Sequence, residues 1–148
     1  MKKKLLIIIA AILCAGGGAI VGYSIYNDDR LVAPTDLPAS TTEFVHKYFP
    51  GRRVIGAEVD FLDYKVWLSD NTFIEFEWNR NWDKIEVFGA NIPTELVPPS
   101  ITAYVQQNKP NTPITKISKE DYGYEIGLLG SIYEYRFNKA GVYIGLDD

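Results

Sequence analysis

The chain contains an internal repeat, and this repeat limits what the chain can fold into. Residues 97–147 resemble residues 37–88 at an offset of 60 positions, which becomes 61 in the second half of each copy. An insertion of one residue in a hairpin loop explains why the offset changes from 60 to 61. The matched pairs include Leu37 with Val97, Pro38 with Pro98, Val45 with Val105, Pro50 with Pro110, Tyr64 with Tyr124, Leu68 with Leu128 and Phe76 with Phe137. Self-similarity over this length is typical of a duplicated structural unit, so we expect one small unit to be used twice.

Each copy begins with the pattern of a short helix. In the first copy, Phe44 and Val45 belong to an apolar stripe at helical spacing. Pro50 ends this helix, because proline lacks the N–H and disfavours helical angles in the residue before it. The side chain of Ser40 or Thr41 is expected to cap the first turn. The second copy repeats the pattern with Ser100, Ile101, Tyr104, Val105 and Pro110.

Four segments with alternating apolar residues follow each helix. They are VIGAEVDF, YKVWLS, FIEFEW and WDKIEV in the first copy, and TPITKIS, YEIGLL, YEYRF and GVYIGL in the second. This period-two spacing, with many β-branched and aromatic residues, predicts strands joined by short turns. Tyr64, Val66 and Leu68 then face one side of a sheet, and Lys65 and Trp67 face the other. The apolar side needs a cover, which the preceding helix can supply.

The predicted fold class is therefore α+β, with two tandem repeats that each pack one helix on a four-stranded antiparallel sheet. The first repeat covers residues 37–88, the second covers 97–148, and a linker of residues 89–96 joins them. Residues 25–36 form an exposed lead segment before the first helix. A unit of this size is marginally stable alone, so the two repeats are expected to lie side by side and share stability.

Residues 1–24 have the layout of a secretory signal. Three lysines precede an uncharged apolar stretch, and small residues follow it. Cleavage after Ser24 would place Gly22 and Ser24 at the two positions that require small side chains. An apolar stretch of about 20 residues can also stay in the bilayer as an anchor. Cys14 allows a third alternative, a lipid-modified N-terminal cysteine, and in all three cases the rest of the chain is exported.

Charge limits the class of partner. Without Lys2, Lys3 and Lys4, 12 of the 15 basic residues remain against 19 acidic ones, which gives the exported part a net charge of −7. This balance argues against nucleic acid or an anionic membrane surface as a partner. Membrane contact is expected only through the N-terminal segment, if that segment is uncleaved or lipidated. Cys14 is the only cysteine, so the stability of the exported part must come from its core.

The repeated residues also resemble a known family. The shared pattern is a Leu-Pro pair, a short helix ending in Phe-Pro, a strand with the spacing Y-x-V-x-L, a hairpin, a phenylalanine and a later aromatic residue. The residues that carry it are Leu37, Pro38, Phe49, Pro50, Tyr64, Val66, Leu68, Phe76 and Trp82, then Val97, Pro98, Pro110, Tyr124, Ile126, Leu128, Phe137 and Tyr143. Over residues 37–147 the chain is similar to the PepSY-like family of β-lactamase-inhibitor-like proteins, which Gram-negative gut bacteria export.

This resemblance implies the tandem helix-plus-four-strand fold of the β-lactamase-inhibitor protein. It implies no catalytic residues, because the family has no settled activity. Two local features depart from the family pattern. Arg80-Asn81 replaces the glycine that is usual between the third and fourth strands, whereas Gly141 keeps it in the second copy. Lys109 replaces the aromatic residue before Pro110.

The sequence offers little chemistry for catalysis. The one histidine, His46, is predicted on the solvent side of the first helix, and no cysteine outside the N-terminal segment could act as a nucleophile. Zinc-ligand spacings and phosphate-binding glycine motifs are not found in the sequence. The carboxylates lie at turns or at alternate strand positions, where a solvated surface explains them. We therefore expect no enzyme, no metal site and no cofactor.

The outward face of the predicted sheet is the candidate binding surface. The candidate residues are Lys65, Trp67, Glu75, Glu77, Glu125 and Arg136. The two acids of the first copy are expected across the hairpin from Trp67, and the acid of the second copy near its arginine. Paired charges would keep an exposed sheet soluble, whereas an aromatic anchor within a charged surround would favour recognition of a partner. The other tryptophans, Trp78 and Trp82, are expected in the core or at its rim.

We expect an exported, non-enzymatic binding protein in the periplasm or cell envelope of a Gram-negative bacterium. It would hold an extracytoplasmic protein or peptide through the sheet face or the hairpin loops. The family resemblance suggests inhibition of an extracytoplasmic enzyme. Two alternatives stay open: Trp67 and neighbouring tyrosines could bind a glycan or another small envelope molecule, or the protein could be structural and have no discrete ligand.

Overall fold

The described strands form one antiparallel sheet in which each strand pairs with the next one along the sequence. A computed structural model describes residues 29–60 and 63–147. The strands are β1 Asp29–Leu31, β2 Val54–Asp60, β3 Asp63–Leu68, β4 Phe73–Phe76, β5 Trp82–Glu86, β6 Ile114–Glu120, β7 Gly123–Leu128, β8 Glu134–Asn138 and β9 Tyr143–Asp147. The helices are α1 Ala39–Tyr48 and α2 Pro99–Asn108, and 3-10 helices occupy Pro34–Asp36 and Thr94–Leu96. The α+β class is confirmed.

The two α-helices start at prolines and are not capped by side chains. Pro38 is the N-cap of α1, and its carbonyl accepts a hydrogen bond from the N–H of Thr41 at 2.9 Å. The expectation that Ser40 or Thr41 caps this helix is wrong, because the helix already begins at Ala39 and both residues lie within its first turn. α2 starts in the same way after Pro98. Each helix ends at the predicted place. One non-helical residue, Phe49 or Lys109, lies between its last residue and Pro50 or Pro110.

Both helices pack on the same face of the sheet. The ring of Phe44 on α1 meets Phe76 edge-on at 5.3 Å between ring centroids, and Tyr104 on α2 meets Phe137 at 5.2 Å. Phe76 and Phe137 lie on the inward side of their strands, which carries a row of isoleucines across the middle of the sheet. The row consists of Ile74, Ile85, Ile117 and Ile126, which are opposite one another in successive strands and 0% exposed. A single core therefore joins the helices and the strands.

The strands that follow α1 and α2 are not two separate four-stranded sheets. β5 pairs with β6 in antiparallel register, with Ile85 opposite Ile117. Just beyond this pairing, the N–H of Val87 donates to the carbonyl of Thr115 at 2.8 Å. The four-stranded sheets of the sequence prediction are therefore halves of one sheet, which both α-helices cover.

The linker, residues 89–96, and the described part of the lead segment, residues 29–36, both contact the folded part of the chain. Within the linker, Ile92 is buried, its N–H donates to the carbonyl of Ile114, and the side chain of Asn91 accepts from the N–H of Ile114. In the lead segment, β1 pairs with β2. The interpretations of residues 1–24 lie outside the described residues. Within the part of the chain that the structure describes, no helix has the length and apolarity needed to cross a bilayer.

The two other tryptophans differ in burial. Trp82 packs against the core, which confirms its predicted position at the rim. The prediction for Trp78 is wrong, because its side chain is 68% exposed. Trp78 lies in the turn between β4 and β5, where the chain has left the strand and the alternation of inward and outward side chains no longer applies.

The turn at Arg80-Asn81, where the family usually has a glycine, keeps the backbone conformation of a glycine turn. Arg80 adopts a φ of 68°, close to the 75° of Gly141 in the corresponding turn between β8 and β9. The two turns share their hydrogen bonds as well, since Arg80 donates its N–H to the carbonyl of Glu77 and Gly141 donates to that of Asn138. The exposed turn tolerates an arginine in the left-handed region, at a cost of about 1 kcal/mol.

The turn at Gly141 has no such tolerance, because it packs against the start of α2. A Cβ at Gly141 would lie 1.9 Å from the Oγ of Ser100, whereas a Cβ at Gly130, with a φ of 78°, would meet nothing within 4 Å. We expect Gly130→Ala to lower the free energy of unfolding by about 1 kcal/mol through strain alone. Gly141→Ala should lower it by about 2 kcal/mol or more, because the steric conflict adds to the same strain. Urea denaturation of both variants measures the difference, and equal losses would contradict the packing of this turn on α2.

Candidate functional site

The face of the sheet opposite the helices is not covered by either helix, and we call it the open face. A row of charged side chains crosses it, because residues directly opposite one another in successive strands share a face. In strand order the row consists of Glu58, Lys65, Glu75, Lys84, Ser118, Glu125 and Arg136, which we call the charged row. Acidic and basic residues alternate along it up to Ser118.

The members of the charged row form ion pairs with neighbouring side chains. The Nζ of Lys65 lies 3.7 Å from a carboxylate oxygen of Glu58, and the Nε of Arg136 lies 3.8 Å from one of Glu125. The pairing of Glu125 with Arg136 confirms the sequence prediction for these two residues. The side chains of all four are partly buried, so their charges hold one another in place. This pairing gives the charges of the open face partners on adjacent strands.

A second row on the open face contains an aromatic pair, Trp67 and Phe73. The two residues are directly opposite in β3 and β4, and their ring centroids are 5.5 Å apart. Both are half-buried, and neither belongs to the core or to the residues packed against it. The expectation that Glu75 and Glu77 lie across from Trp67 is wrong. The register places Glu75 opposite Lys65, and Glu77 lies beyond the end of β4.

The aromatic pair has no counterpart in the second half of the sheet. At the positions that match Trp67 and Phe73 in the repeat alignment, the chain has Gly127 and Glu134. A Cβ at Gly127 would lie 2.8 Å from the Cβ of Lys116, so the space that a larger side chain would need is already occupied. The amine of Lys116 pairs instead with Glu134. The open face is therefore charged in both halves, but only its first half carries an aromatic pair.

A shallow depression of about 280 Å³ lies between the two halves of the open face. Six carboxylate residues and two lysines line it. The lining residues are Asp63, Glu75, Glu77, Asp83, Glu120 and Glu125, together with Lys84, Lys116, Ser118 and Phe76. Three of the six candidate site residues, Glu75, Glu77 and Glu125, thus line one depression, while Lys65 and Arg136 lie in the charged row on the same face. The excess of carboxylates makes the depression acidic.

One end of the charged row carries a cluster of hydrogen bonds around Glu125. The hydroxyl of Tyr122 donates to Glu125, and the guanidinium of Arg136 lies 5.6 Å from the centre of the Tyr122 ring. Arg136 also pairs with Asp147 on β9. Burial raises the pKa of Glu125 above its ordinary value, and burial with the hydrogen bond to Glu125 raises the pKa of the Tyr122 hydroxyl. Ionisation of the Glu125 carboxyl therefore costs more free energy in the folded chain than in the unfolded chain.

The described side chains of the open face include neither a histidine nor a cysteine. His46 is exposed on α1, as the sequence predicted, and lies on the helical side of the sheet. Among the described residues, no group of three or more histidine, cysteine, aspartate or glutamate side chains is placed to hold a metal ion. The arrangement can pair charges and present an aromatic surface, which is the chemistry of recognition.

The chain matches a protein family over residues 62–144, which is more than half of its 148 residues. The description of that family is "Putative beta-lactamase-inhibitor-like, PepSY-like". The chain belongs to this family. The resemblance deduced from the repeated residues is thereby confirmed, and a search of curated proteins found no match for the chain.

Three crystal structures from Bacteroides are similar to this member of the PepSY-like family. The first, a "putative periplasmic protein of unknown function" from Bacteroides vulgatus, is 25% identical with a TM-score of 0.75, and the alignment covers 81% of this chain and 99% of that one. The second, a "putative calcium-regulated periplasmic protein" from Bacteroides thetaiotaomicron, is 26% identical with a TM-score of 0.73, covering 82% and 98%. The third, also described as a "putative periplasmic protein" from Bacteroides vulgatus, is 25% identical with a TM-score of 0.73, covering 83% and 99%.

The raised pKa of Glu125 predicts a pH dependence of stability. A carboxyl whose pKa is higher in the folded chain than in the unfolded one stabilises the fold below its ordinary value of 4.5 and loses that contribution as the pH rises through its folded pKa. Relative to Glu125→Gln, the wild-type chain should therefore become progressively less stable as the pH rises from 4.5 through the higher pKa that Glu125 has in the folded chain. Urea midpoints across this range measure the effect. Glu43→Gln, at an exposed position on α1, corrects for the general loss of a negative charge, and an identical trend for both variants would contradict the assignment.

Proposed function

We propose that this chain is an exported, non-enzymatic binding protein that holds an extracytoplasmic protein or peptide on the first half of its open face. The observation that carries the proposal is the aromatic pair, Trp67 and Phe73. The two rings pack on each other outside the core, on a face that neither helix covers. Aromatic residues within a polar surround are the commonest energetic centres of protein interfaces.

The surroundings of the aromatic pair favour a partner with a basic surface. The acidic depression lies next to β3 and β4, where six carboxylates face two lysines. The exported part as a whole has a net charge of −7, from 12 basic and 19 acidic residues. A basic partner would be steered toward this face, and an acidic one would be repelled. The apolar rings would then supply the buried contact.

Export is supported by two independent observations. The three similar structures are described as periplasmic proteins of Bacteroides. The first 24 residues have the composition of a signal peptide, an anchor or a lipidated segment. The family description supports inhibition of an extracytoplasmic enzyme as the way in which binding acts. Fold analogy alone does not transfer an activity, so this mechanism rests on the partner that binding experiments identify.

We also propose that the chain arose from a duplicated unit of one helix and four strands. The helices α1 and α2 begin 60 residues apart, as do β2 and β6, whereas β4 and β8 begin 61 residues apart. Irregularities in the strand pairing recur at corresponding places, in β2 at 54–56 and in β6 at 114–116. The two copies differ on the open face, where only the first copy has the aromatic pair. This divergence supports a single binding site instead of two equivalent ones.

Truncation of Trp67 tests the binding site. We expect Trp67→Ala to weaken capture of the partner from a cell-envelope extract by about 30-fold, the effect of losing an interface residue worth about 2 kcal/mol. Trp78→Ala is the matched control, because Trp78 is 68% exposed but lies in a turn outside the strands. It should leave capture unchanged, and urea denaturation should show that both variants remain folded in the absence of urea, with a lower midpoint for Trp67→Ala because that variant loses the contact with Phe73.

Equal capture by the wild-type chain and Trp67→Ala would contradict the proposed site. Fluorescence titration of the same proteins separates the alternative function. Saturable quenching of tryptophan emission by a glycan, without stoichiometric capture of a protein, would show that the open face binds a sugar and would overturn the proposal of a protein partner.

A further inference from the structure

A second depression, of about 260 Å³, lies where the second half of the open face meets the turn between β7 and β8, and we call it the groove. Its lining includes the apolar residues Val87, Ile132 and Tyr133 and the ion pair of Lys116 with Glu134. Ile132 is 84% exposed and Tyr133 is 44% exposed. Large apolar side chains that are exposed together beside a depression are typical of an interaction site.

The groove contains the position that matches Trp67 in the repeat alignment. That position is Gly127, which lines the groove and has no side chain to fill it. Trp67 and Gly127 belong to one row of the open face, because Phe73, a glutamate of β5 and Lys116 connect them strand by strand. Four strand spacings separate the two residues, which is about 20 Å. One partner of ordinary interface size can therefore contact the ring of the first half and the groove of the second.

The groove is continuous with the acidic depression. Lys116 lines both, and its stem, which crosses Gly127, is the boundary between them. Along β6, the acidic depression is lined by Ser118 and the groove by Thr115. These two residues are three positions apart, or about 10 Å. Neighbouring side chains of one extended segment can reach both.

The sizes of the two depressions favour side chains as their occupants. The groove measures about 260 Å³ and the acidic depression about 280 Å³. Pockets that enclose a small molecule usually measure about 300–1,000 Å³. Each depression is therefore better matched to one side chain of a partner than to a separate small molecule.

The linings of the two depressions favour different side chains. Six carboxylate residues and two lysines line the acidic depression, so it attracts a positive charge. In the groove, an apolar side chain would cover Ile132 and Tyr133 and remove apolar surface from water. The occupant that satisfies both depressions has a basic side chain close to an apolar one.

We propose that an extended segment of the protein partner places an apolar side chain in the groove and a lysine or arginine, two residues away, in the acidic depression. Side chains on one side of an extended segment recur every two residues, which is about 7 Å. The long stem of a lysine or arginine spans the rest of the distance to the carboxylates. This inference rests on the proposed function, since it assigns a recognition sequence, basic-x-apolar, to the same partner.

A short peptide tests the recognition sequence without the rest of the partner. The probe is the acetylated and amidated peptide Gly-Lys-Gly-Phe-Gly, titrated into the ¹⁵N-labelled chain. We expect saturable changes of amide chemical shift at residues 86–87, 115–116 and 131–134. Replacing the lysine of the peptide by glutamine, or its phenylalanine by alanine, should weaken binding about fivefold or more, because each peptide then lacks one of the two anchoring side chains.

Ile132→Ser tests the groove from the side of the protein. It should weaken binding of the peptide about fivefold, because it removes apolar surface that the phenylalanine covers. Ile144→Ser is the matched control, since Ile144 on β9 is also exposed, at 52%, and lines neither depression. It should leave the affinity for the peptide unchanged.

Three results would overturn the inference: equal affinity for the three peptides, shift changes confined to residues outside the two depressions, or no saturable binding. A dimer of the wild-type chain that Ile132→Ser abolishes would assign the groove to a second copy and would overturn it as well. Capture from the envelope extract separates this inference from the proposed function. If Trp67→Ala weakens capture and Ile132→Ser does not, the proposed function stands and the groove has no part in it.

Discussion

The pairing of β5 with β6 holds the two halves of this protein in one sheet. The strands are joined through Lys84 opposite Ser118, Ile85 opposite Ile117 and Glu86 opposite Lys116. On the inner side this pairing completes the row of buried isoleucines, so that the core under α1 continues into the core under α2. On the outer side it brings the charges of the first half next to those of the second. A further contact connects β5 with β6. The amine of Lys119 lies 3.7 Å from the centre of the Trp82 ring and donates a hydrogen bond to the Trp82 carbonyl.

Because both helices pack on one face of the sheet, the residues of the other face are not constrained by helix packing. Core packing fixes the residues of the helical side, where a lost methyl group costs stability. The open face has no helix packed on it, and its charged side chains pair across strands. At matching positions the first half has two aromatic rings and the second half has a glycine and a glutamate. The acidic depression lies where the halves meet, so it depends on the same pairing of β5 with β6.

Periodicity alone predicted a large part of the fold. The alternation in YKVWLS placed Val66 and Leu68 inward and Lys65 and Trp67 outward, and the register of the second hairpin placed Glu125 beside Arg136. Phe73 was missed as the neighbour of Trp67, although the alternation of FIEF puts it on the same face as Glu75. The signal was present, but the length of the turn between β3 and β4 determines which of these residues lies opposite Trp67.

Other features could not be read from local patterns. Nothing in the alternation of β5 or β6 says that these strands pair, because they are separated by a linker and a helix. The acidic depression was missed for the same reason, since Glu120 and Lys116 come from the second half of the chain. Trp78 was misplaced because a turn interrupts the period of two, and the helix start was misplaced because Pro38 initiates α1 without a side-chain cap.

Native-state hydrogen exchange of the backbone amides tests the central claim, which is that the two halves form one sheet through β5 and β6. The amide of Val87 donates to the carbonyl of Thr115 in this join, and that of Ile92 donates to Ile114. If the account is right, these amides exchange as slowly as the hydrogen-bonded amides within β3 and β4, because they open only with the whole sheet. Fast exchange at Val87 and Ile92, with β3 and β4 still protected, would show that the halves are separate and would contradict the account.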